Sequence, residues 1–475
     1  MMKRKVKRMS NFIIEMSKRT KNMLEDRIFL SKTASIAFPV AFQSMLNMVI
    51  NLADTLMIGR LGENSIAAVG LGNKIFFVYI LFVFGASSAI GMLSAQYYGN
   101  NDIKNIRKVL GMGLLVALSA SFVFTGATLL NPEFLMRIFT KSDTTVKIGM
   151  LYLGTVGISY PFTAISNIYT ASVRSMGEVK IPVITSIVTI IINISLNYVF
   201  IFGVAGFPAM GVAGAALATV IARVSETLLI LGILSFKKHP VICRLEQMFF
   251  YSKELMAQFV KTSLPVIANE FFWGLGFTLY SVAYGRMGDA AVASITIATS
   301  LQDLLQIGIN GIGAATVTVL GYEMGANNLK RAKTYASYFY ILSLILSLIM
   351  AVLTVFIREP FVSLYEVSEE VKKDVMLCLL VFAFYLPFKF IGILNVIGVL
   401  RSGGDTLVCF FIDVSSVWFL GVPFAFLGAF IWKLPIYYVY ALVTTEEIYK
   451  TVFGYLRYKQ YKWLRNLNLD LQKGK

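Results

Sequence analysis

A chain of 475 residues that is 57% hydrophobic and only 15% charged, with a mean hydropathy of +0.71, is not a water-soluble globule, in which about 25% of residues are charged. The formal net charge of +17 is spread over many short polar segments rather than one stripe, which excludes a nucleic-acid-binding surface. One histidine, three scattered cysteines and no P-loop lysine motif exclude a disulfide framework, a hydrolytic metal centre and ATP-driven chemistry within this chain, so no enzyme, metal or cofactor is expected.

In chain order, residues 1–32 are basic and carry no apolar run, so no cleaved secretory signal is expected. About twelve apolar spans follow, near 33–57, 72–95, 109–131, 147–171, 181–203, 209–235, 257–284, 291–320, 334–357, 374–400, 405–430 and 432–456. The stretches 112–130 and 181–222 contain no charge at all, and an uncharged run of about 18 residues suffices for a membrane helix. Lipid cannot satisfy free backbone groups, so the spans must be helices, and their continuity excludes the alternating strands of a barrel. The predicted fold class is an all-α polytopic membrane protein of about twelve transmembrane helices. Its expected divisions are a basic N-terminal segment 1–32, a six-helix bundle 33–235, a linker 236–256, a second bundle 257–456 and a basic tail 457–475.

With an even number of spans, both termini share one side. That side collects about 29 Lys and Arg residues against about 9 on the other, which places both termini in the cytoplasm and the protein in the plasma (inner) membrane. The tail "RYKQYKWLRN" (457–466) mixes basic and aromatic residues and is expected at the anionic inner leaflet. His239 falls in a polar loop and is expected to be solvated. A monomer is expected.

The chain repeats itself. "GRLGENSIAAVG" at 59–70 returns as "GRMGDAAVASIT" at 285–296, an offset of 226 residues. At that offset Pro39 meets Pro265, Ala67 meets Ala293, Gly85 meets Gly311, and Pro161 meets Pro387. One further residue brings "VRSMGE" (173–178) onto "LRSGGD" (400–405). Composition explains shared Leu and Ile, not shared Gly, Pro and Arg at loops. Two six-helix halves on one plan are predicted, related by a pseudo-two-fold along the membrane normal, with a binding site near the midplane between them. Arg174 and Arg401 precede the repeated turn and its acid. They serve either as a gate on the cytoplasmic side or as topology-setting charge.

Charged and amide groups inside spans need partners or roles, because a charge at the bilayer centre is disfavoured by roughly 2.5–3.5 kcal/mol on insertion scales. Glu270 and Asp303 lie about mid-depth in the seventh and eighth spans and are expected to share a proton or a cation. Trp273, one turn from Glu270, can stack on an organic cation. Asp54, Asn47 and Asn51 fall on one face of the first span, and Asn193 and Asn197 are at i, i+4 on the fifth. Together they form either a pocket for a proton or sodium ion or, in a plainer reading, leave Asp54 as a cap paired with Arg60. Arg223 with Glu226 and Lys389 with Asp413 are expected structural pairs.

Three stretches, "FPVAFQSMLNMVINLADTLMIGRLG" (38–62), "NISLNYVFIFG…MGVAGAALAT" (193–219) and "VIGVLRSGGDT" (396–406), together with the doubled six-helix plan, resemble the multidrug and toxin extrusion (MATE) transporters over roughly residues 33–430. The resemblance implies an antiporter that exports small amphiphilic, cationic compounds in exchange for protons or sodium ions. A flippase for a lipid-linked saccharide on a related fold is the alternative. Two departures matter: some members carry an acid where this chain has Asn197, and another branch has an Asp in the tenth span, where this chain reads "FKFIGILNVIG" (388–398). Coupling therefore does not transfer whole from either branch.

Overall fold

Long apolar runs with no polar interruption leave the backbone only itself to bond to, and helices follow. The computed structural model describes residue 15 and residues 17–469. The remainder of the two expected terminal segments, 1–14, 16 and 470–475, lies outside the described residues. Twelve long helical segments run through the described chain: α1 Arg27–Gly59, α2 Glu63–Gly99, α3 Ile103–Leu130, α4 Asp143–Ser175, α5 Lys180–Phe202, α6 Val212–Phe236, α7 Lys253–Gly285, α8 Asp289–Gly325, α9 Leu329–Val362, α10 Glu369–Ser402, α11 Thr406–Ile431 and α12 Ile436–Lys459. No strand occurs among the described residues.

Ten of the twelve are long and apolar enough to cross a membrane. The exceptions are α7, whose first turns are polar and which carries Glu270, and α12, which carries Glu446, Glu447 and Lys450. Both were expected as spans from length and position in the repeat. Their charges pull the average down.

The repeated Gly-Arg-x-Gly has a local cause. Gly59 and Gly285 are the last residues of α1 and α7, and Gly62 and Gly288 precede α2 and α8 with φ of 96° and 111°. A positive φ is open to glycine and strained for other residues, so the same turn demands the same residue twice. Pro39 and Pro265 sit at matching positions inside α1 and α7. The helical ladder is loosened by π-turns at Leu394–Val399, Val417–Gly421 and Leu427–Ile431.

The chain forms two compact units. Of the described residues, one unit holds those up to 38, 276–405 and 411–466, the other 39–275, 406–410 and 467–469. Their boundaries fall inside α1 and α7 rather than in the linker 236–256. In the first unit the start of α1 packs on α8 and α9: Lys32 Nζ lies 3.4 Å from Glu323 Oε1, and the Phe29 ring is 5.0 Å from both Tyr335 and Phe339. In the second the start of α7 packs on α2, where Tyr97 donates to Gln258 Oε1 at 2.7 Å. Lys32 and Gln258 are 226 residues apart, as are Tyr97 and Glu323, so the two units use equivalent positions.

The way the repeated turns are held corrects one expectation and adds to another. The tail 457–466 is folded onto the protein's own second turn. Arg457 Nε and Nη2 meet Asp405 at 2.5 and 3.0 Å, and Arg465 donates to the carbonyls of Gly403 and Gly404 at 3.0 and 2.9 Å. Trp463 is fully buried, its indole N–H bonded to Tyr458 O at 3.1 Å. Arg457, Arg465 and Trp463 are thus used within the protein, while Lys459 and Lys462 stay exposed. In the first half, His239 is buried too, 4% exposed, with Nε2 3.2 Å from Glu178 Oε1 and Nδ1 accepting from the Val241 N–H at 3.3 Å. The turn's own acid draws it out of the solvent.

Burial holds the His239 imidazole below its usual range, with Glu178 opposing the shift. A base depressed in the folded state contributes stability above its unfolded pKa of about 6.5 that is lost as pH falls. Thermal unfolding of the purified protein should therefore steepen in pH dependence below about 6.5. His239→Gln should flatten that dependence, and identical profiles would remove His239 as its source.

Candidate cation site

The site is built from the ends of five helices of one unit. α1 supplies Asn51, Asp54 and Thr55, α2 Asn73, α4 Tyr152 and Ser159, α5 Asn197, and α6 Thr219 and Arg223. Together with apolar neighbours they line a cavity of about 420 Å³. On α5 an otherwise apolar helix places two amides one turn apart, so both face the same side. Asn193 and Asn197 are 4% and 1% exposed.

Asn197 Nδ2 donates to Asp54 Oδ1 at 2.5 Å and lies 3.3 Å from Asn193 Oδ1. With its amide nitrogen committed to two oxygens, Asn197 Oδ1 is left buried without a hydrogen-bond partner. A buried acceptor lacking a donor is disfavoured by about 1–3 kcal/mol. Tyr152 donates to Asn73 Oδ1 at 3.0 Å, and Arg223 is paired with Glu226 at 2.9 Å, so the guanidinium reaching the cavity carries its own counter-charge. The site thus presents one carboxylate and several neutral oxygens, a donor set that suits a hard cation and equally a proton on the carboxylate.

The expected pocket members Asp54, Asn193 and Asn197 are brought together. Arg60 lies over the Phe202 ring, 5.9 Å from its centroid, and Asp54 is turned to α5 instead, so the cap pairing is not formed. Asn47 is exposed and does not line the cavity, being about two turns from Asp54. Glu270 is buried and Trp273 half-buried on α7, in the same unit as the cavity but not in its lining. Asp303 is exposed and belongs to the other unit. Arg174 Nη2 bonds Gln43 Oε1 at 3.2 Å, and Arg401 is fully buried. Arg223 and Glu226 pair as expected, but Asp413 does not pair with Lys389. Its ammonium partner is Lys450 at 3.0 Å, while Lys389 lies over the Phe382 ring. The last helix reaches Asp413, and sequence spacing carries no trace of that. Sequence reasoning also missed Asn73, Tyr152 and Thr219. Each is a polar residue isolated in an apolar span, which was the available signal.

An all-helical membrane chain doubled in sequence, with a polar cavity set among its helices, has the build of a repeat-based transporter. It belongs to the MatE family, whose model matches residues 39–199 and again 265–427. The second match starts 226 residues after the first, at the offset of the internal repeat. The chain is 24% identical over 456 residues to the probable multidrug resistance protein NorM of Thermotoga maritima, covering 93% of this chain and 94% of that protein. It is 25% identical to the multidrug resistance protein MdtK of Yersinia pseudotuberculosis, over 83% and 86% of the two chains. A MATE crystal structure in a bent conformation shares the fold, with a TM-score of 0.83 over 96% of this chain and 99% of that one at 19% identity.

Proposed function

We propose that this protein is a secondary active antiporter that exports small amphiphilic, cationic molecules in exchange for protons or sodium ions by alternating access. It would work as a monomer in the plasma membrane with both termini in the cytoplasm. The observation that carries this reading is the half-buried Asp54 carboxylate beside the unpartnered, buried Asn197 Oδ1 at a cavity of about 420 Å³. A sodium ion would use both oxygens at once. A proton would neutralise Asp54 alone. Either removes the penalty of a charge held among membrane helices, and a state favoured only when the ion is bound shifts the conformational population. Relatives named as multidrug resistance proteins support the cargo class. A saccharide-phosphate cargo calls for unpaired cationic groups, whereas Arg223 is neutralised by Glu226, which disfavours a flippase.

Reconstitution in liposomes tests the reading. An imposed proton or sodium gradient should drive movement of an organic cation such as ethidium, and no movement under either gradient would overturn it. Glu270→Gln keeps size and hydrogen bonding while removing charge. If Glu270 balances the cargo's charge, this variant should insert normally, bind the organic cation several-fold more weakly and transport it more slowly. Parent rates with the parent pH profile would remove Glu270 from the mechanism.

A further inference from the structure

The other unit holds a polar cluster that the Asp54 cavity does not use. α12 contributes Glu446, Glu447 and Lys450, and α11 contributes Asp413, none more than 9% exposed. Lys450 Nζ lies 3.0 Å from Asp413 Oδ1 and 3.5 Å from Glu446 Oε1, and the Tyr280 hydroxyl of α7 donates to Glu446 Oε2 at 2.6 Å. Glu447 is different. Its Oε2 is buried with no hydrogen-bond partner, and it faces the side of α10 at Gly392, where an added Cβ would lie 3.4 Å from it. The backbone is shaped around the cluster. The π-turn Val417–Gly421 ends at a glycine whose Cβ would fall 1.9 Å from the Tyr280 hydroxyl and 2.8 Å from Glu446 Oε2. π-turns inside helices are rare and collect at functional sites.

Charge counting gives the cluster its chemistry. Three carboxylates face one ammonium. Tyr280 and Tyr284 of α7 and Tyr440 of α12, which interact with Glu446 or Glu447, bring no positive charge, and Cys378 of α10, next to Tyr284 and Tyr440, brings none either. Lys389 of α10 is placed over Phe382. Lys450 answers one carboxylate, and neighbouring buried carboxylates do not all ionise together. Among the described residues no three His, Cys, Asp or Glu side chains are arranged to hold a metal ion. With Asp413 and Glu446 engaged by Lys450 and Tyr280, Glu447 Oε2 offers a hard cation one oxygen where it needs several, and a proton satisfies it alone. We propose that this cluster is a second cation site, specific for a proton, with Glu447 Oε2 taking the proton from water and returning it to water independently of Asp54.

The test reads protonation rather than export, so its failure is distinct from failure of the antiport reading. Infrared difference spectra of the full-length protein in lipid nanodiscs are recorded between about pH 5 and about pH 9, a range in which buried carboxyls titrate. The parent should show a protonated-carboxyl band that disappears reversibly on raising the pH. Glu447→Gln should lose that component, while Asp54→Asn and an exchange of potassium for sodium should leave it. If Glu447→Gln does not fold, Asp413→Asn serves instead: with one carboxylate fewer around Lys450, the band at a given pH should weaken. No titrating band in the parent, an undiminished band in Glu447→Gln or in Asp413→Asn, or loss of the band on adding sodium would each overturn the proposal.

Discussion

Asp54→Asn protein, reconstituted in liposomes, is expected to insert and fold like the parent and to lose ion-driven export. The substitution preserves side-chain shape and leaves an oxygen to accept from Asn197 Nδ2, now at 2.5 Å from Asp54. What disappears is the charge. A charged hydrogen-bond partner contributes about 1.5–3 kcal/mol, which corresponds to a roughly ten- to hundredfold loss in cation affinity. Export driven by the imposed gradient should fall by a similar factor, while downhill leakage of cargo stays at the control level. Asn197→Ala removes the unpartnered oxygen but keeps the carboxylate. It should weaken sodium dependence and spare proton dependence, which separates the two ions. Unchanged export and unchanged ion response in both variants would leave this cavity without a role in coupling.

The second large effect is mechanical. A Cβ on Gly403 would lie 1.7 Å from the Trp463 carbonyl oxygen and 2.6 Å from its carbonyl carbon. These are backbone atoms, so no side-chain rotation relieves the clash. Gly403→Ala should lift the 457–466 tail from the turn, lowering stability by about 3 kcal/mol, at the upper end of ordinary overpacking. Trp463, now fully buried, should become solvent-accessible, and the readout is a red-shifted tryptophan emission with faster proteolysis near residue 463. Gly177→Ala is the comparison. Its φ is +86° but nothing lies within 4 Å of the added Cβ, so it should suffer only the backbone strain of about 1–2 kcal/mol. Equal effects of the two variants would mean that the turn, not the docked tail, sets the stability.

What the sequence revealed and what it hid follow from the range of the interactions. The helices were legible because each satisfies its own backbone, and the repeat because glycine and proline at turns answer to local φ. The family match at residues 39–199 and 265–427 retraces the offset read from Gly59 and Gly285. Asp54 with Asn197 was reachable because an i, i+4 amide pair and an isolated acid stand out in apolar helices. The partners of Asp413 and Asp405 were not. Lys450 and Arg457 meet them through tertiary packing of α12, and no spacing along the chain encodes which of several buried bases a given acid will find. The burial of His239 and Trp463 was hidden for a related reason: polar and aromatic loop sequences look alike whether they face water or their own protein.

The start of α1 also sets a schedule. Lys32 must wait for Glu323, 291 positions later, before its ion pair can form, and Phe29 waits for Tyr335 and Phe339. At a ribosomal rate of about 5–20 residues per second that interval is roughly 15–60 s. During that time residues 27–38 lack the neighbours they pack on in the finished fold. Arg457 reaches Asp405 52 residues after it, so the second turn waits only a few seconds. In biogenesis the closure at the start of α1 is thus slow and that of the second turn fast. A quality-control factor that recognises half-made membrane proteins would meet the exposed start of α1 for most of the synthesis time.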